Sequence, residues 1–171
     1  DYSRGKPLND MKTEEGIAGK TGTTVTFWPD DDIFETTEYS FDVLAARLRE
    51  LAFLNKGIKI SIMDKRDGKE KQQSLQYPEG IKSFVGFLNE NKTQLHEVIY
   101  FEKEKQGLHL EIAMAYNDGY QENVFSFANN INTIEGGTHL AGFKGALTKS
   151  FNKYAEQKKL NYDPNDSDWW Y

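Results

Sequence analysis

The sequence predicts an α+β domain in which an open, mixed or antiparallel sheet carries its helices on one face, so that the fold is a two-layer sandwich. Two patterns predict this class. Segments with apolar side chains at every second residue alternate along the chain with segments whose apolar side chains recur every three or four residues. The predicted order is β-α-β-β-α-β-β-β-α, which is typical of a two-layer architecture. With 171 residues, the chain is long enough to bury a core.

The first strand and the first helix lie in the N-terminal third of the chain. Residues 23–28 are β-branched and aromatic and stop at Pro29, which is typical of a strand. Ser40 can cap a helix, and the Asn-Lys-Gly sequence at residues 55–57 ends it. The apolar positions of this helix step by three and four: Phe41, Leu44, Leu48 and Leu51.

Two strands and a short helix are predicted in the middle of the chain. Residues 58–62 alternate so strictly that one face is all isoleucine, which indicates a half-buried strand. An Asp-Gly turn at residues 67–68 precedes a weaker return strand at residues 73–77. A second helix ends near residues 89–91. Its apolar positions are Ile81, Phe84, Val85 and Leu88.

An antiparallel meander and a final helix complete the prediction. The meander comprises residues 98–102, 108–114 and 123–129, with turns between the strands at residues 105–107 and 117–119. The final helix has an apolar stripe, which we expect to pack onto the sheet. This apolar stripe consists of Leu140, Phe143, Leu147, Phe151 and Tyr154.

The composition excludes several function classes. The net charge is −6, so the chain as a whole repels polyanions, and any nucleic-acid contact must be local. It has no cysteine, which excludes disulfides, zinc-thiolate sites and thiol nucleophiles and is consistent with a cytoplasmic protein. No apolar run approaches the ~20 residues that a membrane span requires, so no membrane partner is expected.

Five stretches identify a family when they are taken together in order. They are TGTTVTFWPD, RLRELAFLNKGIKI, DKRDGKE, EGIKSFVGFLNENK and YNDGYQENVFSFANNINTIEGGTHLAGFKGALT. Over about residues 2–160 the chain resembles the B subunit of bacterial DNA gyrase. The B subunit of topoisomerase IV carries similar motifs and is the alternative.

The resemblance implies part of a type II topoisomerase that hydrolyses ATP with Mg while one DNA duplex passes through another. The implied partners are the gyrase A subunit, duplex DNA, and a second copy of the gyrase B subunit in the ATP-bound state. Residues 1–29 would be a linker and the last strand of the ATPase domain, and residues 30–160 would be the transducer domain, which relays nucleotide state to strand passage. The implied fold is ribosomal-protein-like with a left-handed βαβ crossover, against the right-handed default.

The resemblance places Thr23 and Val25 in the wall of the ATP adenine pocket. From the residues alone, these positions predict only a strand. The rest of the pocket would lie before Asp1, so we expect no cofactor in this fragment and no ATP hydrolysis by it alone, although the parent protein would be an enzyme.

Lys144 is the candidate contact to the transported duplex. Residues 139–160 contain five lysines and one acid, a local net charge of +4 in an acidic chain. Such a run is often only a solvated helix face. The resemblance singles out Lys144, whose position matches a basic residue that lines the DNA cavity. Weak, sequence-independent phosphate contact would suit a transient passage chamber.

The Glu-Gly-Gly-Thr-His sequence at residues 135–139 predicts a tight strand-to-helix turn with Thr138 at the helix start as its cap. A phosphate cradle is the alternative, because a helix N-terminus favours anions, but no Lys-Ser/Thr pair follows as in a P-loop. A catalytic or metal-binding role for His139 would need partner residues that the neighbouring sequence lacks, which favours capping or packing.

Residues 161–171, NYDPNDSDWWY, depart from the family. There the resemblance calls for a GEDVREGL segment and a Gln-Thr-Lys loop whose lysine reaches the ATP γ-phosphate. We expect a divergent or non-native, disordered tail, or else an interaction tail that docks its aromatic residues on a partner. A non-catalytic module that holds nucleic acid or protein is therefore the functional alternative.

Overall fold

The structure, a computed structural model, describes residues 1–14, 16, 19, 21–68 and 70–160. The chain divides into two compact units, Asp1–Tyr39 and Ser40–Tyr171. The predicted tail at residues 161–171 lies outside the described residues. Among the described helices, none combines the length and the apolar character needed to cross a bilayer.

The α+β class is confirmed, but the described strands form four two-stranded antiparallel sheets rather than one continuous sheet. A βαβ crossover joins parallel strands. Because the described strands pair only as antiparallel neighbours, the left-handed crossover that the resemblance implies has no counterpart among them.

The first unit contains one small hairpin and an irregular remainder. Strands β1 (Tyr2–Ser3) and β2 (Lys6–Pro7) pair across a turn at Arg4 and Gly5, both at positive φ. The predicted strand over residues 23–28 is wrong, because the structure has no strand there. A strand needs a neighbour for its backbone N–H and C=O groups, and no described segment of the unit pairs with this one.

The second unit begins with the first predicted helix, which is confirmed as α1 (Phe41–Leu54). Ser40 is its N-cap, and the Ser40 hydroxyl accepts a hydrogen bond from the Val43 backbone N–H at 3.4 Å. The strands β3 (Lys59–Asp64) and β4 (Lys71–Gln76) then form the predicted hairpin, and both pack against α1.

Phe53 is the centre of the core. It is fully buried near the end of α1, and its ring lies 3.8 Å from that of Tyr77, centroid to centroid, just after β4. The predicted second helix, confirmed as α2 (Ile81–Leu88), places Phe84 and Phe87 against the same ring at 5.0 Å and 5.7 Å. These aromatic contacts hold α1, the β3–β4 hairpin and α2 together.

Strands β5 (Ile99–Lys105) and β6 (Leu108–Met114) form the next hairpin, as predicted, and α2 packs on β6. The third strand of the predicted meander is wrong. Residues 123–129 contain only the two-residue strand β7 (Phe127–Ala128), which pairs with β8 (Ile131–Asn132). The turn at Asn129 and Asn130, both at positive φ, ends β7, and its partner β8 ends at Asn132, so residues 123–126 have no described strand to pair with.

The last helix is confirmed as α3 (Thr138–Lys158), 21 residues long. Its predicted packing is wrong, because no residue of α3 is buried and the helix packs extensively on no other described element. In the apolar stripe, Leu140, Phe143 and Leu147 are half-buried, whereas Phe151 and Tyr154 are exposed.

Candidate nucleic-acid contact site

The turn that starts α3 has a backbone that favours glycine. Gly136 has φ +79° and Gly137 has φ +156°, and a Cβ on Gly137 would lie 2.8 Å from the His139 ring. Thr138 is the first helical residue, as predicted, but it is not the cap. Gly137 occupies the N-cap position, and no side chain there makes a capping bond. The diglycine therefore sets the point at which α3 begins.

A hydroxyl cluster ties the start of α3 to the segment before it. The Thr133 hydroxyl donates to the backbone carbonyl of Ser126 at 2.9 Å, and the two hydroxyl oxygens lie 2.6 Å apart. His139 Nε2 lies 3.2 Å from the Thr133 hydroxyl oxygen. Because the Thr133 proton points to a carbonyl, His139 has no activated nucleophile here and instead fastens the first turn of α3.

Lys144 projects from the second turn of α3. Its side chain is half exposed, and its Nζ donates to Glu122 Oε1 at 3.0 Å. Glu122 lies in the loop between β6 and β7, 22 residues earlier, and is also about half exposed. The ammonium group can therefore be reached from solvent, but it already has an anionic partner.

The other lysines of the basic run do not join Lys144 in one patch. At 100° per residue, Lys149 and Lys153 lie about 140° and 180° around the helix from Lys144. Lys158 lies on nearly the same side of the helix as Lys144 but about 21 Å farther along it, and its Nζ lies 5.9 Å from the centroid of the Tyr154 ring. Among the described residues, Lys144 is the only lysine of this run with a carboxylate partner. The run is therefore several separate charges, of which Lys144 is distinct.

Thr23 and Val25 lie on the irregular segment of the first unit and are both exposed, Val25 by 77%. A base pocket needs enclosing apolar walls and a few convergent polar groups. These two exposed side chains do not provide one. Thr23 and Val25 therefore do not by themselves form a nucleotide pocket with other described residues.

The described residues contain two clusters with the ligand types of a metal site, and in each a basic side chain pairs with two of the carboxylates. Asp30, Asp31 and Asp32 come together in the first unit, where Arg4 Nη2 donates to Asp30 at 3.0 Å and also pairs with Asp32. This hydrogen bond from Arg4 lowers the pKa of Asp30. A metal ion would have to displace Arg4 from Asp30 and Asp32 in order to bind there.

The second cluster joins Glu102, His109 and Glu111 on the β5–β6 hairpin. Lys56, just beyond α1, reaches both carboxylates, with its Nζ 2.7 Å from Glu111 and 3.2 Å from Glu102. The Tyr100 hydroxyl donates to Glu102 at 2.6 Å and also bonds Lys56. We call Lys56, Tyr100, Glu102 and Glu111 the Lys56 cluster. Its lysine is paired with both carboxylates that a metal ion at this position would need.

The pKa shifts in the Lys56 cluster follow from these contacts. Hydrogen bonds to Glu111 and then to Tyr100 raise the pKa of Lys56. The bond from Tyr100, followed by that from Lys56, lowers the pKa of Glu102, while burial raises the pKa of Tyr100. The cluster therefore holds Lys56 and Glu102 charged and joins the end of α1 to the β5–β6 hairpin.

The sequence analysis missed both Glu122 and the Lys56 cluster. Glu122 lies in a polar loop with no local periodicity, and the Lys56 cluster joins residues 44 to 55 positions apart. Pairing at such separations leaves no signal in a short window of sequence.

Comparison with known proteins gives one family and close relatives. The DNA gyrase B family model matches residues 80–168. The chain is 52% identical over 168 residues to the DNA gyrase B subunit of Halalkalibacterium halodurans, covering 96% of this chain and 26% of that protein. It is 50% identical over 156 residues to the DNA topoisomerase 4 B subunit of Enterococcus faecalis, covering 91% of this chain and 23% of that protein. The chain thus spans about a quarter of the length of these relatives.

Two solved structures share the fold. The 43K ATPase domain of Thermus thermophilus gyrase B, crystallised with an aminocoumarin, matches with a TM-score of 0.67 and 30% identity over 79% of this chain and 37% of that one. The B subunit of Myxococcus xanthus DNA gyrase matches with a TM-score of 0.71 and 27% identity, over 82% of this chain and 42% of that one.

Proposed function

Because the chain belongs to the DNA gyrase B family, we propose that it is the transducer part of the B subunit of a type II topoisomerase. In that role it relays ATP binding and hydrolysis, carried out elsewhere in the parent protein, to the passage of one DNA duplex through another. Residues 1–29 would be the linker and last strand of the ATPase domain, and residues 30–160 the transducer. The parent enzyme would use ATP and Mg, act with the gyrase A subunit in the bacterial cytoplasm, and dimerise through its B subunits when ATP is bound.

The proposal that this chain contacts the transported duplex rests on Lys144. Lys144 is a half-exposed cation on a helix that no other described element covers, and the hydroxyl cluster fixes the start of that helix. A single lysine makes a weak phosphate contact without reading base sequence. Weak contact suits a duplex that must pass and be released, whereas a wide basic patch would retain it.

The proposal that ATP is hydrolysed elsewhere in the parent protein is also consistent with the candidate ligand sites among the described residues. Thr23 and Val25 form no enclosed base pocket, and carboxylates of the Asp30 and Glu102 clusters are already paired with Arg4 and Lys56. The chain is therefore proposed to transmit the effect of ATP rather than to hydrolyse it. Robust ATP turnover by the isolated chain would overturn this assignment.

A chimaera tests the function directly. Residues 40–160 would replace the matching region of the Halalkalibacterium halodurans protein, to which the chain is 52% identical overall. In the presence of the gyrase A subunit, we expect ATP-dependent supercoiling of relaxed plasmid. A chimaera that folds and hydrolyses ATP but passes no DNA would contradict the transducer proposal.

Two variants of the chimaera test the DNA contact. Lys144→Glu should reduce strand passage strongly, because it places an anion beside the transported duplex. Lys153→Glu makes the same charge change about 180° around α3 and should leave passage near the parent level. Equal losses in the two variants would show that Lys144 has no special position.

The topoisomerase IV B subunit is the second candidate, because the Enterococcus faecalis relative is nearly as similar, at 50% identity. The same region should be exchanged into that protein and tested for unlinking of catenated circles. A chimaera active only in that background would assign the chain to topoisomerase IV. Tight binding of one DNA sequence by the isolated chain would instead favour a separate nucleic-acid binding module.

A further inference from the structure

We propose that Glu122 competes with DNA phosphate for Lys144 and so keeps the duplex contact weak and short-lived. This inference rests on the proposed function, in which Lys144 faces the transported duplex. It adds a residue from a different segment to that contact and gives it a defined role, namely to lower affinity.

The geometry of the pair supports direct competition. Glu122 Oε1 accepts from Lys144 Nζ at 3.0 Å, the distance at which a phosphate oxygen would also bind. The Glu122 carboxylate and a DNA phosphate each carry one negative charge. They would repel each other if both lay on the same side of the Lys144 ammonium group. Phosphate must therefore displace Glu122 or approach against its charge.

Glu122 is presented by a loop that is held at both ends. On one side, Asn117 Nδ2 donates to the buried Asn89 at 2.8 Å. On the other, the Phe125 ring lies 5.3 Å from that of Phe84 on α2. These anchors limit how far the loop can move, so the carboxylate stays near α3 after it is displaced.

The end of the loop at Asn117 is held further by Asp118, which accepts a hydrogen bond from the Thr93 backbone N–H at 3.2 Å. The backbone N–H of Asp118 in turn donates to the Thr93 carbonyl at 3.1 Å. A displaced Glu122 is therefore expected to return to Lys144 rather than diffuse away. Return of the internal carboxylate would speed release of the duplex.

The pair is weak enough to open. The side chains of Lys144 and Glu122 are 50% and 56% exposed, and water screens a surface pair of this kind. Phosphate can thus reach Lys144, but each contact first breaks an existing ion pair. Losing this competition should change DNA affinity about twofold to fivefold, the range expected for an exposed pair.

Salt dependence gives the competition a distinct signature. A lysine that neutralises a phosphate releases counterions, which steepens the plot of log affinity against log salt by about 0.9 per contact. In this chain the freed Glu122 would attract a cation when phosphate binds, which offsets much of that release. Removing the Glu122 charge should therefore steepen the salt dependence by up to about 0.9.

The experiment measures binding of the full 171-residue chain to a linear DNA duplex by fluorescence anisotropy at several KCl concentrations. Glu122→Gln is compared with Glu156→Gln, a matched control on α3. Among the described residues the Glu156 carboxylate has no ion-pair partner, and it lies about 18 Å along the helix from Lys144. Lys144→Gln and the double variant Glu122→Gln/Lys144→Gln complete a cycle.

We expect Glu122→Gln to bind about twofold to fivefold more tightly at low salt, with a steeper salt dependence, and Glu156→Gln to stay close to the parent. The gain should vanish when Lys144 is already glutamine. The proposal is overturned if Glu122→Gln and Glu156→Gln behave alike, or if the gain persists in the Lys144→Gln background. If Lys144→Gln leaves DNA binding unchanged, the proposed contact itself is wrong. If Lys144→Gln weakens binding and Glu122→Gln has no effect, only the competition is refuted.

Discussion

Phe53 stacks on Tyr77 with ring centroids 3.8 Å apart and planes 25° apart. The pair joins the last turn of α1 to the residue that follows β4. Phe84 and Phe87 of α2 complete the group, so one buried ring connects two helices and a hairpin. The stability of the second unit should therefore depend on Phe53 more than on any residue of α3.

Phe53→Ala should lower the free energy of unfolding by about 3–5 kcal/mol, because it removes a fully buried ring and leaves a cavity among aromatic neighbours. Urea unfolding followed by circular dichroism measures the change. Phe151→Ala is the control, since Phe151 is half exposed on α3. Similar losses in the two variants would contradict the placement of the core at Phe53.

Gly137→Ala should destabilise the start of α3, because the residue has φ +156° and the new methyl group would meet the His139 ring at 2.8 Å. The expected cost is roughly 1–3 kcal/mol. Gly142→Ala, in the same helix with open space around it, should stabilise the chain by up to about 1 kcal/mol. Stability changes of opposite sign for the two variants in thermal unfolding would confirm that Gly137 needs this backbone conformation. A Gly137→Ala variant as stable as the parent would refute it.

Thr133→Val should loosen the start of α3 by removing the hydroxyl that contacts both Ser126 and His139. The expected cost is about 1–2 kcal/mol, since Ser126 and His139 also lose a partner. Thr148→Val removes only a bond to the Lys144 carbonyl within the helix and should cost less. Hydrogen exchange of the first α3 amides would report the difference, and equal exchange rates would count against the cluster.

Lys56→Met should reduce stability by about 1 kcal/mol near neutral pH, a value limited by solvent screening of a side chain that is 37% exposed. Lys65→Met serves as the control, because Lys65 has no ion-pair partner among the described residues. Chemical unfolding at pH 7 gives both values. A loss for Lys65→Met as large as that for Lys56→Met would show that the Lys56 cluster contributes nothing specific.

The effect of Lys56→Met should also depend on pH. The pKa of Glu102 is lowered in the folded state, so its contribution is present above its unfolded pKa of about 4.3 and is lost as the pH falls through the folded pKa. The pKa of Lys56 is raised, so its contribution is complete below about 10.4 and is lost only as the pH rises through the folded pKa. The difference between parent and variant should thus be level from about pH 5 to 9 and shrink in acid. A difference that grows below about pH 4 would have the wrong sign.

The sequence predicted the elements whose signal is local. Ser40 and the spacing of apolar residues after it predicted α1, and alternation predicted the β3 and β6 strands, because side-chain period reports directly on helix or strand geometry. It failed over residues 23–28, where high strand propensity met no partner strand. It also failed over residues 123–126, which have no described strand to pair with because β8 is only two residues long.

The candidate site also contains residues that the sequence could predict and residues that it could not. Lys144 could be selected from the sequence because a basic run and a family motif are both continuous in the chain, and the diglycine marked where its helix starts. Its partner Glu122 could not, nor could the contact of Lys56 with Glu102 and Glu111, since those residues meet only when distant segments pack. The sequence by itself determined the three helices, the two longer hairpins, the family and the candidate lysine, because short continuous stretches of the chain indicate them. Only the tertiary structure decided that Phe151 and Tyr154 of the α3 apolar stripe are exposed and that Lys144 is already paired, because burial and ion pairing depend on which surfaces meet in space.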